Sequence, residues 1–438
     1  TLKAMKRFLA ILIGATRRGV ESSNLPSATQ EALDCQSFFY FVAGFCPPGR
    51  FTRLKSVRED MSIMEKEQIF QRNAGFFAFF LSGICAISSG VVVSILQEIY
   101  GFAYGMTGTL LSLMSIGNLL AGFASGMLPA KIGTKKTVVL LTAGYGAGYL
   151  IMGFSGWMLV LMLGFFMVGV AKGSTINTCT ILVADNSGDR TKGMNIMHGC
   201  YALGALLCPF FIAAAMKAGN TVPMLVLAAC GFLLWLTFCV TPAETKAMKK
   251  DRNIDKSFLK SRKFWMLTGL LFCQNAAETS VTGWMVTYFK GNGIISGSLS
   301  PYTVTVMWGA TLIARLLIAF VIPIKNSYSA MIKMGIGCII FYMGLMMAST
   351  QTTAILLLFA FAFAMAGMNP TAVASAGRMT SAASMGIMLP AASSGAIIMP
   401  WIIGMVSEYA GIEIGMASNI IPCAGMLLFS VAVKRLKE

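Results

Sequence analysis

FWMLTGLLFCQNAAETSVTGWMVTYF, residues 264–289, runs 26 residues with a single acidic side chain, Glu278, near its middle. That length lets a helix cross a bilayer with some tilt. Helical spacing puts Gln274 and Thr282, four residues either side of Glu278, on one stripe, with Asn275 beside them. A carboxylate at such depth is costly unless it faces a partner or a water-filled cavity, so the stripe reads as functional.

The rest of the chain has the composition of a membrane protein. Of 438 residues, 56% are hydrophobic and 12% charged, with a mean hydropathy of +0.73. Soluble proteins carry about 25% charged residues. Apolar runs recur at roughly 74–96, 106–128, 137–155, 157–182, 195–216, 221–241, 264–289, 301–322, 329–349, 352–377, 385–407 and 414–433. The expected fold is therefore all-α and polytopic, with twelve transmembrane helices.

The formal charge of +17 is distributed by topology. One set of alternate connections, including Lys131, Lys135, Lys136, Arg190 and the run from Lys246 to Lys263, holds nineteen Lys and Arg; the other holds Lys217 and Lys290. This bias places the first set and both ends of the bundle in the cytoplasm. It fits contact with lipid headgroups and argues against nucleic acid. Nine of the eleven cysteines lie inside the expected spans without a CxxC pair, which reads as packing rather than metal binding.

The connection GMLPAKIGTKKT, residues 126–137, resembles the signature loop of the major facilitator superfamily between that family's second and third helices. Gly126, Leu128, Lys131, Gly133 and Lys135 fit; Ala130 stands where the family has aspartate, and Thr134 replaces its second arginine position. The resemblance implies a role for this loop in a conformational gate. An internal repeat agrees with it. MHGCYALGALLCP (197–209) and MLPAASSGAIIMP (388–400) align Met, Gly-Ala and Pro at a constant offset of 191. Two pseudo-symmetric six-helix bundles are expected, 61–241 and 264–438, joined by a basic cytoplasmic linker at 242–263, with substrate held between them. Residues 1–60 lack this pattern and read as a disordered extension or an over-extended reading frame, with Met61 or Met64 as a natural start.

Beyond Glu278, Gln274 and Asn275, the expected substrate contacts are Lys172, deep inside the fourth span, and Asn369, at an Asn-Pro kink in the tenth. His198, the chain's one histidine, joins Glu278 as a candidate for ion coupling. The spacing Glu278, Trp284, Tyr288, followed by SGSLSPY, Trp308 and Arg315, resembles the sugar-permease branch of the superfamily, including fucose and glucose permeases. That resemblance implies Trp284 and Trp308 as rings stacked on sugar and Arg315 as a gate residue. No ATP-binding loop, metal-ligand cluster or nucleophile–base pair is visible in the sequence, so an enzyme is not expected, nor any cofactor beyond a coupling H+ or Na+. The reading is a monomeric secondary transporter of a small polar solute, a sugar by resemblance, in the bacterial inner membrane. The alternative is a drug or metabolite exporter.

Overall fold

A computed structural model describes residues 63–188, 190–242, 257–321, 324–376 and 382–436. The expectations for residues 1–60, and for most of the linker, lie outside them. The chain divides into Thr1–Glu67 and a compact unit Gln68–Glu438; the latter carries the bundle. Its long helices, counted as one where a short break interrupts them, are α1 (Ile63–Ile87 with Ser89–Tyr100), α2 (Tyr104–Met127), α3 (Thr134–Thr142 with Gly144–Phe154), α4 (Met158–Asp185), α5 (Arg190–Met216) and α6 (Val222–Val240). The second half follows with α7 (Arg262–Asn292), α8 (Thr303–Phe320), α9 (Ser327–Met346), α10 (Gln351–Met365 with Met368–Ala376), α11 (Ala382–Ser393 with Gly395–Ala410) and α12 (Ile412–Ala417 with Ile420–Arg435).

Local chemistry sets many of these ends. Asn326 accepts from the backbone N–H of Tyr328 at 3.1 Å and of Ser329 at 3.2 Å, capping α9. Thr350 and Thr353 form a reciprocal capping box at the start of α10. The first helix of each half stops at a left-handed glycine, Gly101 (φ +65) after α1 and Gly293 (φ +69) after α7, a conformation that costs any other residue a steric clash. Eleven helices among the described residues are long and apolar enough to cross a membrane. The exception is α7, whose 31 residues include the polar stripe. Large apolar side chains face outward, Phe154 at 76% and Leu428 at 69% exposure, as lipid contact requires.

The two halves repeat one packing plan. In the first, α2 packs on α4, α3 on α4, and α3 on α6; in the second, α8 packs on α10, α9 on α10, and α9 on α12. The repeat seen in the sequence marks matched crossings. A Cβ on Gly204 would collide with the Phe80 carbonyl of α1, and one on Gly395 with the Phe272 carbonyl of α7. Small residues here let α5 cross α1, and α11 cross α7, at backbone contact.

The basic loop after α2 also finds a structural role. Lys131 is exposed, and Gly133 turns the chain with φ +86. Gly126 lies in the last turn of α2. Lys135 Nζ donates to the carbonyls of Phe238 (2.6 Å), Cys239 (2.7 Å) and Thr241 at the end of α6. One ammonium thus satisfies carbonyls that a helix end leaves orphaned, at the negative end of its dipole. Lys135→Met is expected to cost about 2 kcal/mol and to lower the melting temperature of the detergent-purified protein. Lys135→Arg should recover most of that loss.

Candidate functional site

α7 presents its polar stripe at mid-depth. Gln274 Nε2 donates to the Glu278 carboxylate, and Asn369 Nδ2 of α10 donates to Gln274 Oε1 at 3.0 Å. The carboxamide therefore orients the carboxylate and is itself held from a neighbouring helix. Asn369 is available because α10 breaks at Ala366–Gly367, just before it. Thr282 spends its hydroxyl on the backbone oxygen of Glu278 (2.8 Å) and on Met307 Sδ (3.5 Å), so it does not bond the carboxylate itself. Asn275 is half-buried and makes no side-chain hydrogen bond with the described residues.

Across from this stripe stands the first half. Lys172 lies at the middle of α4 and is partly accessible. Glu278 acts on it electrostatically across the gap, but no direct ion pair joins them. The Tyr201 hydroxyl of α5 lies within the fields of both Glu278 and Arg315. Its ring meets Trp308 of α8 edge-on at 5.7 Å. Arg315 Nε reaches the Ala366 carbonyl at 3.5 Å. His198 is exposed, with its ring against Phe79 at 5.6 Å, and Arg315 is its charged neighbour. Lys172, Gln274, Glu278 and Asn369 thus come together, with His198 and Arg315 at their border.

Trp284 requires a correction. It is fully buried, its indole N–H donates to the Pro400 carbonyl at 3.1 Å, and Tyr104 covers it at 6.2 Å. Its ring is spent on the seam of α7, α11 and α2 and offers no free face to a solute. Trp308 is the aromatic residue at the centre instead. Tyr201 was not singled out from the sequence; its position three residues after His198, on the same helical face, was the available signal.

The halves are fastened toward one end, where α1 stops at Tyr100. The Lys290 ammonium pairs with Glu98, and the Gly105 N–H donates to Glu408 Oε2 at 3.1 Å. Phe210 meets Tyr302 at 5.1 Å. Closer to mid-depth, two bonds mirror each other. Ser112 of α2 donates to the Ile397 carbonyl of α11 at 2.7 Å, and Thr305 of α8 donates to the Leu206 carbonyl of α5 at 2.9 Å. Each acceptor lies three residues before an interior proline, Pro400 or Pro209. A proline removes the ladder bond to the carbonyl four residues before it, and the carbonyl next to that one has a second lone pair for an outside donor. Among the described residues, the hydrogen bonds and ion pair between halves run from mid-depth to the Tyr100 end.

Two matched six-helix halves enclosing polar and charged side chains at mid-depth define a multi-pass membrane transporter rather than an enzyme. The chain belongs to the Major Facilitator Superfamily, whose family model matches residues 75–400. A bacterial homologue of the human lysosomal transporter Spinster, solved in an inward-facing, unoccupied conformation, superposes with a TM-score of 0.70 at 12% identity, covering 84% of this chain and 97% of that one. The nucleoside transporter NupG gives 0.65 at 15% identity, covering 85% and 99%. A probable sulfoacetate transporter, SauU, of Cupriavidus necator is 22% identical over 235 residues, which is 48% of this chain and 55% of that protein. The match thus spans about half the length of that curated relative.

Proposed function

We propose that this protein is a cation-coupled secondary transporter that carries a small polar solute through the bacterial inner membrane by alternating access. The observation that carries this reading is the hydrogen-bonded row Asn369–Gln274–Glu278 facing Lys172 across the junction of the halves. Amides and a carboxylate in series match a polyhydroxylated solute, which supports a sugar or sugar derivative. Glu278 is the coupling group, with H+ or Na+ as the ion, and His198 stands nearby as a second titratable side chain. The positive-inside bias supports a cytoplasmic location for the Leu128 loop and for both ends of the bundle. The Tyr100 end then faces outward, and fastening there describes a carrier whose outer side is shut. The protein works as a monomer in this reading.

The test is uptake by proteoliposomes holding the purified protein. Accumulation of labelled sugars or sugar derivatives that collapses when the ion gradient is dissipated is the expected result. Solute turnover or lipid modification without flux would overturn it.

A further inference from the structure

The central site holds two donor side chains, Lys172 and Trp308, that meet no acceptor among the described residues. Lys172 makes no hydrogen bond or ion pair with the described residues, although it lies at the middle of a membrane-spanning helix. The Trp308 indole N–H is buried at 7% exposure and has no acceptor. Arg315 adds a guanidinium with one long bond to a carbonyl. On the acceptor side stands the Glu278 carboxylate, already engaged by Gln274.

An indole can only donate, and an ammonium carries three donors. Leaving the buried indole without an acceptor is costly, and the partly accessible ammonium has no anionic partner of its own. The charge balance leans the same way. Lys172 at the centre and Arg315 at its border outnumber Glu278, so the site carries more basic than acidic side chains. A neutral sugar would supply hydroxyl acceptors but leave that excess unmatched.

We infer that the transported solute carries an oxyanion, a carboxylate or a sulfonate, which lies against Lys172 and accepts from the Trp308 N–H. The inference rests on the transport reading and narrows its substrate class to acids. The polar row of α7 and α10 then takes the uncharged part of the molecule. Arg315, toward the other end of the same α8 face, draws the anion inward.

The experiment compares matched pairs by thermal shift on the purified full chain: gluconate against sorbitol, lactate against lactamide, and sulfoacetate alone. Lysophosphatidylglycerol against lysophosphatidylcholine tests whether the oxyanion belongs to a lipid. At least one acid should stabilise the protein while its neutral or zwitterionic partner does not. Lys172→Gln should weaken that acid about tenfold or more, and Lys172→Arg should retain it. Trp308→Phe, which keeps a ring and removes the N–H, should weaken it about threefold. Stabilisation by sorbitol or lactamide that survives Lys172→Gln would overturn the inference, as would silence from every acid. Flux separates the two proposals. An acid that binds through Lys172 but never crosses proteoliposomes leaves the oxyanion site standing and sinks the transport reading. Accumulation of a neutral solute does the reverse. Binding confined to the lysophospholipid keeps the oxyanion and removes the small-solute description.

Discussion

Glu278→Gln abolishes concentrative uptake and leaves solute exchange intact: this is the expected result with the largest functional effect. Glutamine has nearly the shape of a protonated glutamate and offers one acceptor and a donor. The Gln274 contact, and through it Asn369, can therefore survive the change. What is lost is the charge that rises and falls with the coupling ion. A ligand can drive an equilibrium only through a differential affinity for its two states, and on the proposed mechanism the variant lacks the group whose ion affinity changes with access. The accumulation ratio should fall to about 1, while counterflow between equal solute pools proceeds at near the original rate. Variants of Gln274 should show a weaker form of the same defect, because the carboxylate keeps its charge and loses its orienting partner. Accumulation that is undiminished in Glu278→Gln would move coupling elsewhere. His198 is then the next group to test, since it borders the site and is the chain's one imidazole.

The stripe on α7 was legible because few forces place a glutamate, a glutamine and an asparagine at the middle of a 31-residue helix long enough to span a membrane. The same polarity keeps α7 apart from the eleven helices that are apolar enough by composition. The internal repeat was legible for a different reason: helices that cross at backbone contact tolerate glycine and little else, so Gly204 and Gly395 stand at equivalent places. Aromatic residues carried less information. Trp284 and Trp308 both sit in apolar helices, and periodicity cannot say which face meets the other half and which meets the centre. Burial against Tyr104 and Pro400 decides the first, and contact with Tyr201 decides the second. The fastening of the halves was hidden for a related reason. Glu98 and Lys290 are ordinary span-end charges in sequence, and only the meeting of α1 and α7 pairs them. Small residues on α2 were a mixed signal, because Gly117 packs against the backbone of α4 while Gly122 has open space around it.

That last contrast sets up the prediction with the largest effect on stability. α2 and α4 meet through three glycines. A Cβ on Gly117 would strike the Phe166 carbonyl, one on Gly169 the Met114 carbonyl, and one on Gly173 the Asn118 carbonyl. In each case the obstacle is backbone, which cannot rotate away as a side chain does. Gly169→Leu therefore has to push the two helices apart. Overpacking a well-filled core costs about 1–3 kcal/mol where side chains can shift, and a collision with rigid backbone lies at or beyond the top of that range. The variant should fail to give a monodisperse peak in size-exclusion chromatography. Gly169→Ala is the informative milder change: the protein should fold with a lowered melting temperature and a reduced uptake rate. Uptake suffers because Lys172 lies on the same helix between Gly169 and Gly173, so separating α4 from α2 displaces its ammonium relative to Glu278. Gly122→Ala supplies the control, with open space at the added methyl group and an expected change within about 0.5 kcal/mol. Equal melting temperatures for the two alanine variants would mean that α2 and α4 are not held at backbone contact, and the placement of Lys172 at the centre would then need another support.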